Sequence, residues 1–115
     1  CQGLGLDQEN LLGDERAERL VGEILTAAER ERMDRSQLSL TTTLTFSLKE
    51  SLFKALYPIV LKRFYFEHAE VLEWSADGSA RLRLLTDLSA QWHHGREIQG
   101  QFSLHGDQLL SLVSV

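Results

Sequence analysis

The stretch that decides the fold is Phe46-Ser47-Leu48-Lys49-Glu50-Ser51-Leu52-Phe53-Lys54, which has the spacing of an amphipathic helix. Its leucines, together with Ala55 and Leu56, form one apolar stripe at three- and four-residue intervals. Thr45 or Ser47 would cap the start of this helix, and Pro58 would kink or end it. The pattern predicts a helix that buries one face.

Two further helices are predicted upstream of this stretch. From Asp14 the apolar residues recur at helical spacing; they are Ala17, Leu20, Val21, Ile24 and Leu25. Thr26 and Glu29 have the spacing of a capping box, so a second short helix should follow at once. The segment from Arg35 to Thr45 is rich in Ser and Thr with few apolar residues, and we predict a loop there.

The rest of the sequence alternates with the period of β-strands. A first strand is predicted from Gln2 to Glu9, and four more near Ala69 to Trp74, Ala80 to Leu85, Ile98 to Leu104 and Leu109 to Val115. Asp77-Gly78 and His105-Gly106 are turn dipeptides between them. The sequence therefore predicts one α+β domain over residues 1–115, with helices packed on one face of a mostly antiparallel sheet.

Composition excludes several classes of function. A net charge of -5 gives no basic footprint for nucleic acid. One cysteine cannot form an internal disulfide, which favours a reducing, cytoplasmic location. No apolar run approaches the ~20 residues of a membrane span. Because the sequence opens with Cys1-Gln2-Gly3 and enters a strand-like run at once, we expect it to be a fragment.

Asp7 and Glu9 are the first candidate metal ligands. Two positions apart in a strand, their carboxylates project from one face while Gln8 points away. Paired hard oxygen ligands with open positions suit magnesium, which is usually held by one or two carboxylates plus substrate oxygens. For this pair taken alone, a solvated strand end is the favoured interpretation.

Glu50 and Lys54 lie one helical turn apart, with Lys49 offset to the side. An acid and two bases therefore cluster on the predicted helix. An exposed ion pair of a few tenths of a kcal/mol would also explain Glu50 and Lys54, with Phe46 and Phe53 in the core.

The combination resembles the carboxy-terminal half of the Sfp/EntD-type 4'-phosphopantetheinyl transferases. The family patterns are Gly-(Ile/Val)-Asp-x-Glu and (Trp/Phe)-x-x-Lys-Glu-(Ala/Ser)-x-x-Lys. Residues Gly5-Leu6-Asp7-Gln8-Glu9 match the first with Leu6 as a conservative exchange, and Phe46 to Lys54 match the second at each defined position. The resemblance continues through Ser51 to Pro58 and in the final residues, Leu110 to Val115.

The resemblance implies both a reaction and the residues that serve it. Asp7, Glu9 and Glu50 would bind Mg2+, which bridges to the pyrophosphate of coenzyme A. Lys49 and Lys54 would lie near the phosphates or the reacting centre. Glu50 or Glu29 would accept the proton of the attacking serine; since a cation lowers the pKa of a carboxylate ligand, Glu29 or a water molecule is favoured. The partner would be an acyl, peptidyl or aryl carrier protein, of siderophore or polyketide biosynthesis or of fatty-acid assembly.

The resemblance also implies a limit to what this chain does alone. In the Sfp type an amino-terminal half supplies a Ser-x-Ser/Thr-His segment for the nucleotide, and we expect that half to be missing here. The shorter holo-acyl-carrier-protein synthases keep a Ser-x-Thr-His segment that Ser103-Leu104-His105 matches only in part. We therefore expect little activity without the missing half or a second copy in a pseudo-symmetric dimer. A noncatalytic carrier-protein-binding or assembly domain of the same fold is the alternative.

Overall fold

The structure is a computed structural model that describes residues 2–115, so the single cysteine, Cys1, lies outside the described residues. Its elements are β1 (Leu4–Asn10), α1 (Asp14–Ile24), α2 (Ala27–Arg32), α3 (Leu38–Val60), β2 (Ala69–Trp74), β3 (Ser79–Leu84), β4 (Glu97–His105) and β5 (Gln108–Ser114). Short 3-10 turns occupy Arg35–Gln37 and Phe66–His68. The predicted α+β fold is confirmed.

The five strands form one antiparallel sheet in the order β1-β5-β4-β3-β2. Each predicted strand agrees with the observed one to within a residue or two. The two predicted hairpin turns are also confirmed, with Gly78 and Gly106 at φ values of 95° and 63° that favour glycine. The order brings the first and last strands of the chain together, so β5 lies between β1 and β4.

Helix α3 is longer than the sequence predicts. The predicted loop is wrong from Leu38 onward, and Thr45 and Ser47 lie inside the helix rather than at its cap. Threonine has a low helix propensity, but residues 41–45 are all buried, and tertiary burial overrides that propensity. Thr43 illustrates the reason: its hydroxyl donates to the Ser39 carbonyl at 2.7 Å and accepts from the Leu12 amide at 3.0 Å.

Pro58 lies inside α3 and does not end it at once. The helix continues to Val60, and Leu61 then adopts a left-handed conformation with φ of 55°. Proline removes one amide donor and its ring crowds the carbonyl four residues earlier, which fits a helix that ends two residues later. No helix in the described part of the chain, α3 included, is both long and apolar enough to cross a membrane.

Helix α3 covers one face of the sheet. Its predicted stripe of Leu48, Leu52, Ala55 and Leu56 is fully buried in the main core. Across β1 and β5 the other face is exposed, with Leu4, Leu6 and Leu110 at 56%, 52% and 44% exposure. We call these three residues the open-face leucines.

Candidate functional site

Strand β1 orients the first two candidate ligands toward α3. Burial alternates along it, so that Gly5, Asp7 and Glu9 face the helix while Leu6 and Gln8 face solvent. The shared face predicted for the two carboxylates is therefore present. Asp7 is 7% exposed, which makes its charge unusually costly to leave unpaired.

Glycine lets the main chain of β1 approach the main chain of α3. A Cβ atom added at Gly5 would overlap the carbonyl oxygen of Ser51, and one added at Gly3 would overlap that of Ala55. No side chain larger than hydrogen fits at either position unless the helix moves away. Close packing of strand on helix therefore brings Glu50 and Lys54 to the carboxylates of β1.

Lys54 makes direct contacts with β1. Its Nζ atom donates to Asp7 Oδ1 at 3.0 Å and to the Leu6 carbonyl at 2.9 Å. The second carboxylate oxygen, Asp7 Oδ2, is buried and has no hydrogen-bond partner among residues 2–115. The side chain of Lys54 is 51% exposed, so this ion pair lies at the solvent boundary rather than in the core.

The remaining acids of the cluster are electrostatically linked to Asp7. The pKa of Glu9 is raised to about 7, first by burial and then by the neighbouring carboxylates of Asp7 and Glu50, while the charge of Lys54 opposes the shift. Burial also raises the pKa of Glu50, again with a contribution from Asp7 and opposition from Lys54. We call Asp7, Glu9, Glu50 and Lys54 the carboxylate site.

The chemistry of the carboxylate site fits a divalent cation. No group of three or more His, Cys, Asp or Glu side chains within residues 2–115 is already arranged to hold a metal ion. However, the acids of the carboxylate site offer the oxygen ligands that magnesium prefers, and Asp7 Oδ2 lacks a hydrogen-bond partner among the described residues. An ammonium group already contacts Asp7 from an exposed side chain that can swing away. Asp7, Glu9 and Glu50 would therefore hold the ion.

Lys49 and Glu29 lie in a separate, buried ion pair. Lys49 is 0% exposed, and its Nζ donates to Glu29 Oε1 and the Ile24 carbonyl, both at 2.8 Å, and to the Phe66 carbonyl at 2.9 Å. Glu29 also accepts from the amides of Thr26 and Val71, both at 2.7 Å. The predicted capping box of α2 is confirmed.

These contacts indicate structural roles for both residues. All three N–H donors of Lys49 have partners, and both oxygens of Glu29 are engaged. Burial lowers the pKa of Lys49, and Glu29 opposes this shift. The structure therefore does not bring Lys49 or Glu29 to the carboxylate site, and their catalytic roles stay predictions.

Three buried serines next to the site were not identified from the sequence. Ser47 and Ser51 of α3 meet Ser111 of β5, with hydroxyl oxygens 2.8 Å and 2.7 Å from that of Ser111. Their signal is a pair of serines four residues apart beside an apolar stripe, a spacing that places both on one helix row. We call these residues the serine cluster.

A small cavity adjoins the carboxylate site at Glu9. Its volume is about 230 Å³, and it lies where the end of β1 meets α1 and α3. Apolar walls come from Leu20, Ile24 and Phe46, and Arg16 supplies a cation. Phe46, the aromatic residue of the second motif, thus separates this cavity from the core, where its ring packs 5.5 Å from that of Phe66.

Comparison with known proteins gives a family and a set of related folds. Residues 3–112 match the family model of the 4'-phosphopantetheinyl transferase superfamily. A search of curated proteins finds no significant match.

Several solved holo-acyl-carrier-protein synthases share the fold. The Thermotoga maritima enzyme has a TM-score of 0.68 and 25% identity, covering 97% of this chain and 61% of its own. The Plasmodium yoelii protein has a TM-score of 0.67 and 15% identity, covering 97% of this chain and 91% of its own.

The Bacillus anthracis synthase, solved in complex with CoA (3',5'-ADP), has a TM-score of 0.66 and 24% identity, covering 97% of this chain and 93% of its own. These likenesses agree with the family match, which extends over most of the chain. The chain therefore belongs to the 4'-phosphopantetheinyl transferase superfamily.

Proposed function

We propose that this chain transfers the 4'-phosphopantetheine group from coenzyme A to a serine of a carrier protein. The observation that carries the proposal is the meeting of Asp7, Glu9, Glu50 and Lys54 at the contact of β1 with α3. Membership of the superfamily supplies the reaction class. The two sequence motifs, with Glu9 present, support an Sfp/EntD-type carboxy-terminal half.

The reaction joins the serine oxygen to the β-phosphorus of coenzyme A and breaks the bond from that phosphorus to the oxygen of 3',5'-ADP. Negative charge accumulates on phosphate oxygens during this step. Mg2+ supplies charge stabilisation when bound by Asp7, Glu9 and Glu50. Lys54, once released from Asp7, would offer its positive charge to the same phosphates.

The serine proton needs an acceptor among the groups of the site. Both oxygens of Glu29 are occupied, so its contacts support a base role less well than the sequence suggested. Glu50 has no such network, but it is also a proposed Mg2+ ligand, and a cation lowers the pKa of a carboxylate ligand, so a water molecule at the site is the better acceptor. Lys49 keeps α3 in place in this scheme rather than contacting phosphate.

Calorimetry of coenzyme A binding tests the proposal. The protein is titrated with coenzyme A in Mg2+ and in EDTA, and Glu50→Gln is compared with Glu23→Gln, an exposed acid on α1. Binding that requires Mg2+ and is lost only in Glu50→Gln is expected. Equal binding in Mg2+ and EDTA would contradict the metal site. Transfer is then checked by the mass gained by an apo carrier protein.

We infer that full activity requires a second folded unit, here called the second body, packed against the exposed face of the sheet. The open-face leucines support this, because apolar side chains grouped on an uncovered face are typical of an interaction surface. The body is either an amino-terminal half or a second copy of this chain. A cytoplasmic location and service to siderophore or polyketide assembly remain predictions.

The ion pair between Lys54 and Asp7 favours one alternative function. If this lysine is the permanent counter-ion of the carboxylate site, the chain is a noncatalytic domain that binds a carrier protein without modifying it. The two functions differ in one measurement. A carrier protein that binds but gains no phosphopantetheine, even with the second body present, would support the noncatalytic domain.

A further inference from the structure

The serine cluster is a closed set of buried hydroxyl groups between α3 and β5. Ser47, Ser51 and Ser111 are each at most 1% exposed. Ser111 is at the centre, since its hydroxyl contacts both others and its carbonyl accepts from Ser51 at 3.2 Å. Each buried hydroxyl therefore has a partner within the cluster.

One arrangement of protons satisfies all three hydroxyls at once. Ser47 donates to the Ser111 hydroxyl, Ser111 donates to the Ser51 hydroxyl, and Ser51 donates to the Ser111 carbonyl. This arrangement fixes the positions of two successive turns of α3 against a single residue of β5. Removing the Ser111 hydroxyl breaks two of the three bonds, whereas removing that of Ser47 breaks one.

The cluster lies directly beside the carboxylate site. Ser111 is the cross-strand neighbour of Asp7 in the pairing of β1 with β5. The Ser47 hydroxyl also lies 3.5 Å from the Asp7 carbonyl oxygen. On α3, Glu50 follows Ser47 by three residues and Lys54 follows Ser51 by three, so both site residues lie on the row next to the serines.

The contact between α3 and β1 has few interlocking side chains, so packing alone does not fix the rotation of the helix. Hydrogen bonds such as those of the serine cluster are needed to fix it. At Gly3 and Gly5 the helix rests on main chain, without side chains from the strand to interlock with it. Rotating a helix by about 20° moves an atom about 5 Å from its axis by nearly 2 Å. Directional hydrogen bonds resist that rotation, whereas alanines of similar size would not.

We propose that the serine cluster sets the rotation of α3 over β1 and β5 and thereby positions Glu50 and Lys54 against Asp7. Its members are positioning residues, since none of them reaches the exposed part of the site. The inference rests on the proposed function for its metal-binding consequence. Its geometric part concerns this chain's own residues and does not depend on a metal.

Two substitutions at Ser111 and one control test the proposal in the full chain. Ser111→Ala removes the central hydroxyl, and Ser111→Thr keeps it with a side chain that suits a strand. Ile98→Val is the control, because it removes one buried methylene from β4 and lowers stability away from the site. Binding of Mn2+ alone is measured by electron paramagnetic resonance, and contacts between Gly5 and Ser51 protons by nuclear Overhauser effects.

We expect Ser111→Ala to bind Mn2+ about 10-fold more weakly, the scale seen when supporting groups around a metal site are removed. Its Gly5 to Ser51 Overhauser effects should change, while Ser111→Thr stays near the wild type. Ile98→Val should lower the melting temperature without changing either readout.

Two outcomes would overturn the proposal. One is a folded Ser111→Ala protein with unchanged Gly5 to Ser51 Overhauser effects. The other is an equal loss of Mn2+ binding in Ile98→Val, which would trace the effect to general stability. A wild-type chain that binds no Mn2+ would contradict the proposed metal site instead, and the Overhauser effects would still decide the positioning proposal.

Discussion

At Gly5 the main chain of β1 lies against the main chain of α3, so a single methyl group there has no room. We predict that Gly5→Ala lowers the free energy of unfolding by about 1–3 kcal/mol, the usual cost of overpacking a well-filled contact. The helix must move outward, which separates Glu50 from Asp7. Urea unfolding measures the first effect, and calorimetry of Mg2+-dependent coenzyme A binding measures the second.

Gly22 provides the matched control for this substitution. It lies inside α1, and a Cβ atom added there meets nothing within 4 Å. Gly22→Ala should therefore stabilise the protein by about 1 kcal/mol through helix propensity alone. If Gly5→Ala and Gly22→Ala were equally stable, the close approach of the two main chains would not be the reason that Gly5 excludes larger side chains.

Glu9 gives the metal-free protein a characteristic pH dependence. Its pKa rises from 4.5 to about 7 on folding, mainly through burial. Between those values the folded state binds a proton that the unfolded state has lost, so stability falls as pH rises through this window. Urea unfolding in EDTA should show this fall in wild type and in Glu23→Gln, but much less in Glu9→Gln. A stability that rises over the same range would contradict the assignment.

Individual site residues differ in how well sequence predicts them. Asp7, Glu9, Glu50 and Lys54 belong to two motifs, and the structure brings them together as those motifs imply. The serine cluster carries no motif, because small hydroxyl residues four apart are common in helices and loops alike. Only the pairing of Asp7 with Ser111 across two strands distant in sequence reveals their common position.

Among the elements, the strands were predicted closely and the start of α3 was not. Strand periodicity and turn glycines are local signals, so they are readable from the sequence. The threonines before Phe46 favour a loop locally, and only the layers packed around α3 make them helical. Tertiary contacts also decide the roles of Lys49 and Glu29. The sequence shows their charges, but only the structure shows the buried partners that indicate a structural role.

The buried pair of Lys49 and Glu29 joins α1, α2, α3 and β2 through its hydrogen bonds. We predict that Lys49→Met lowers the free energy of unfolding by about 3–5 kcal/mol, because it leaves the charged, buried Glu29 without its counter-ion. The double variant Lys49→Met with Glu29→Gln should cost less than the sum of the two single variants. Thermal or urea unfolding measures each.

The exposed pair of Arg19 and Glu15 is the control for that cycle. Its side chains are 66% and 91% exposed, so Arg19→Gln should change stability by less than about 1 kcal/mol. Strict additivity of the Lys49 and Glu29 effects would mean that the two groups do not act as a pair. A destabilised Glu29→Gln protein is expected as well, since glutamine keeps one acceptor oxygen and turns an NH2 group toward the donors that the other oxygen served.

At the outer edge of β2, helix α2 occupies the main-chain groups that an edge strand would leave free. Glu29 accepts from the Val71 amide at 2.7 Å, and Arg32 donates to the Val71 carbonyl at 2.9 Å. Together they imitate the bonds of a neighbouring strand at that residue. Covering an edge in this way protects against pairing with other chains.

The sheet has one face buried by α3 and one face open at β1 and β5. We predict that replacing the open-face leucines Leu6 and Leu110 by glutamine abolishes self-association and leaves the monomer folded, with a melting temperature that no longer depends on protein concentration. Size-exclusion chromatography with light scattering at several concentrations measures the first. A wild-type protein that stays monomeric at high concentration would exclude the second copy and leave the amino-terminal half as the partner.

Because of the ion pair between Lys54 and Asp7, folding of the chain and binding of magnesium are two separate events. The positive charge of Lys54 is part of the polypeptide and is present from translation, whereas magnesium comes from a cellular pool that varies. The chain can therefore complete folding before any ion is loaded, unlike small zinc domains that remain unfolded without metal. On the proposed function, we expect magnesium shortage to slow carrier-protein modification while the amount of this protein stays constant, because a folded chain is protected from proteases.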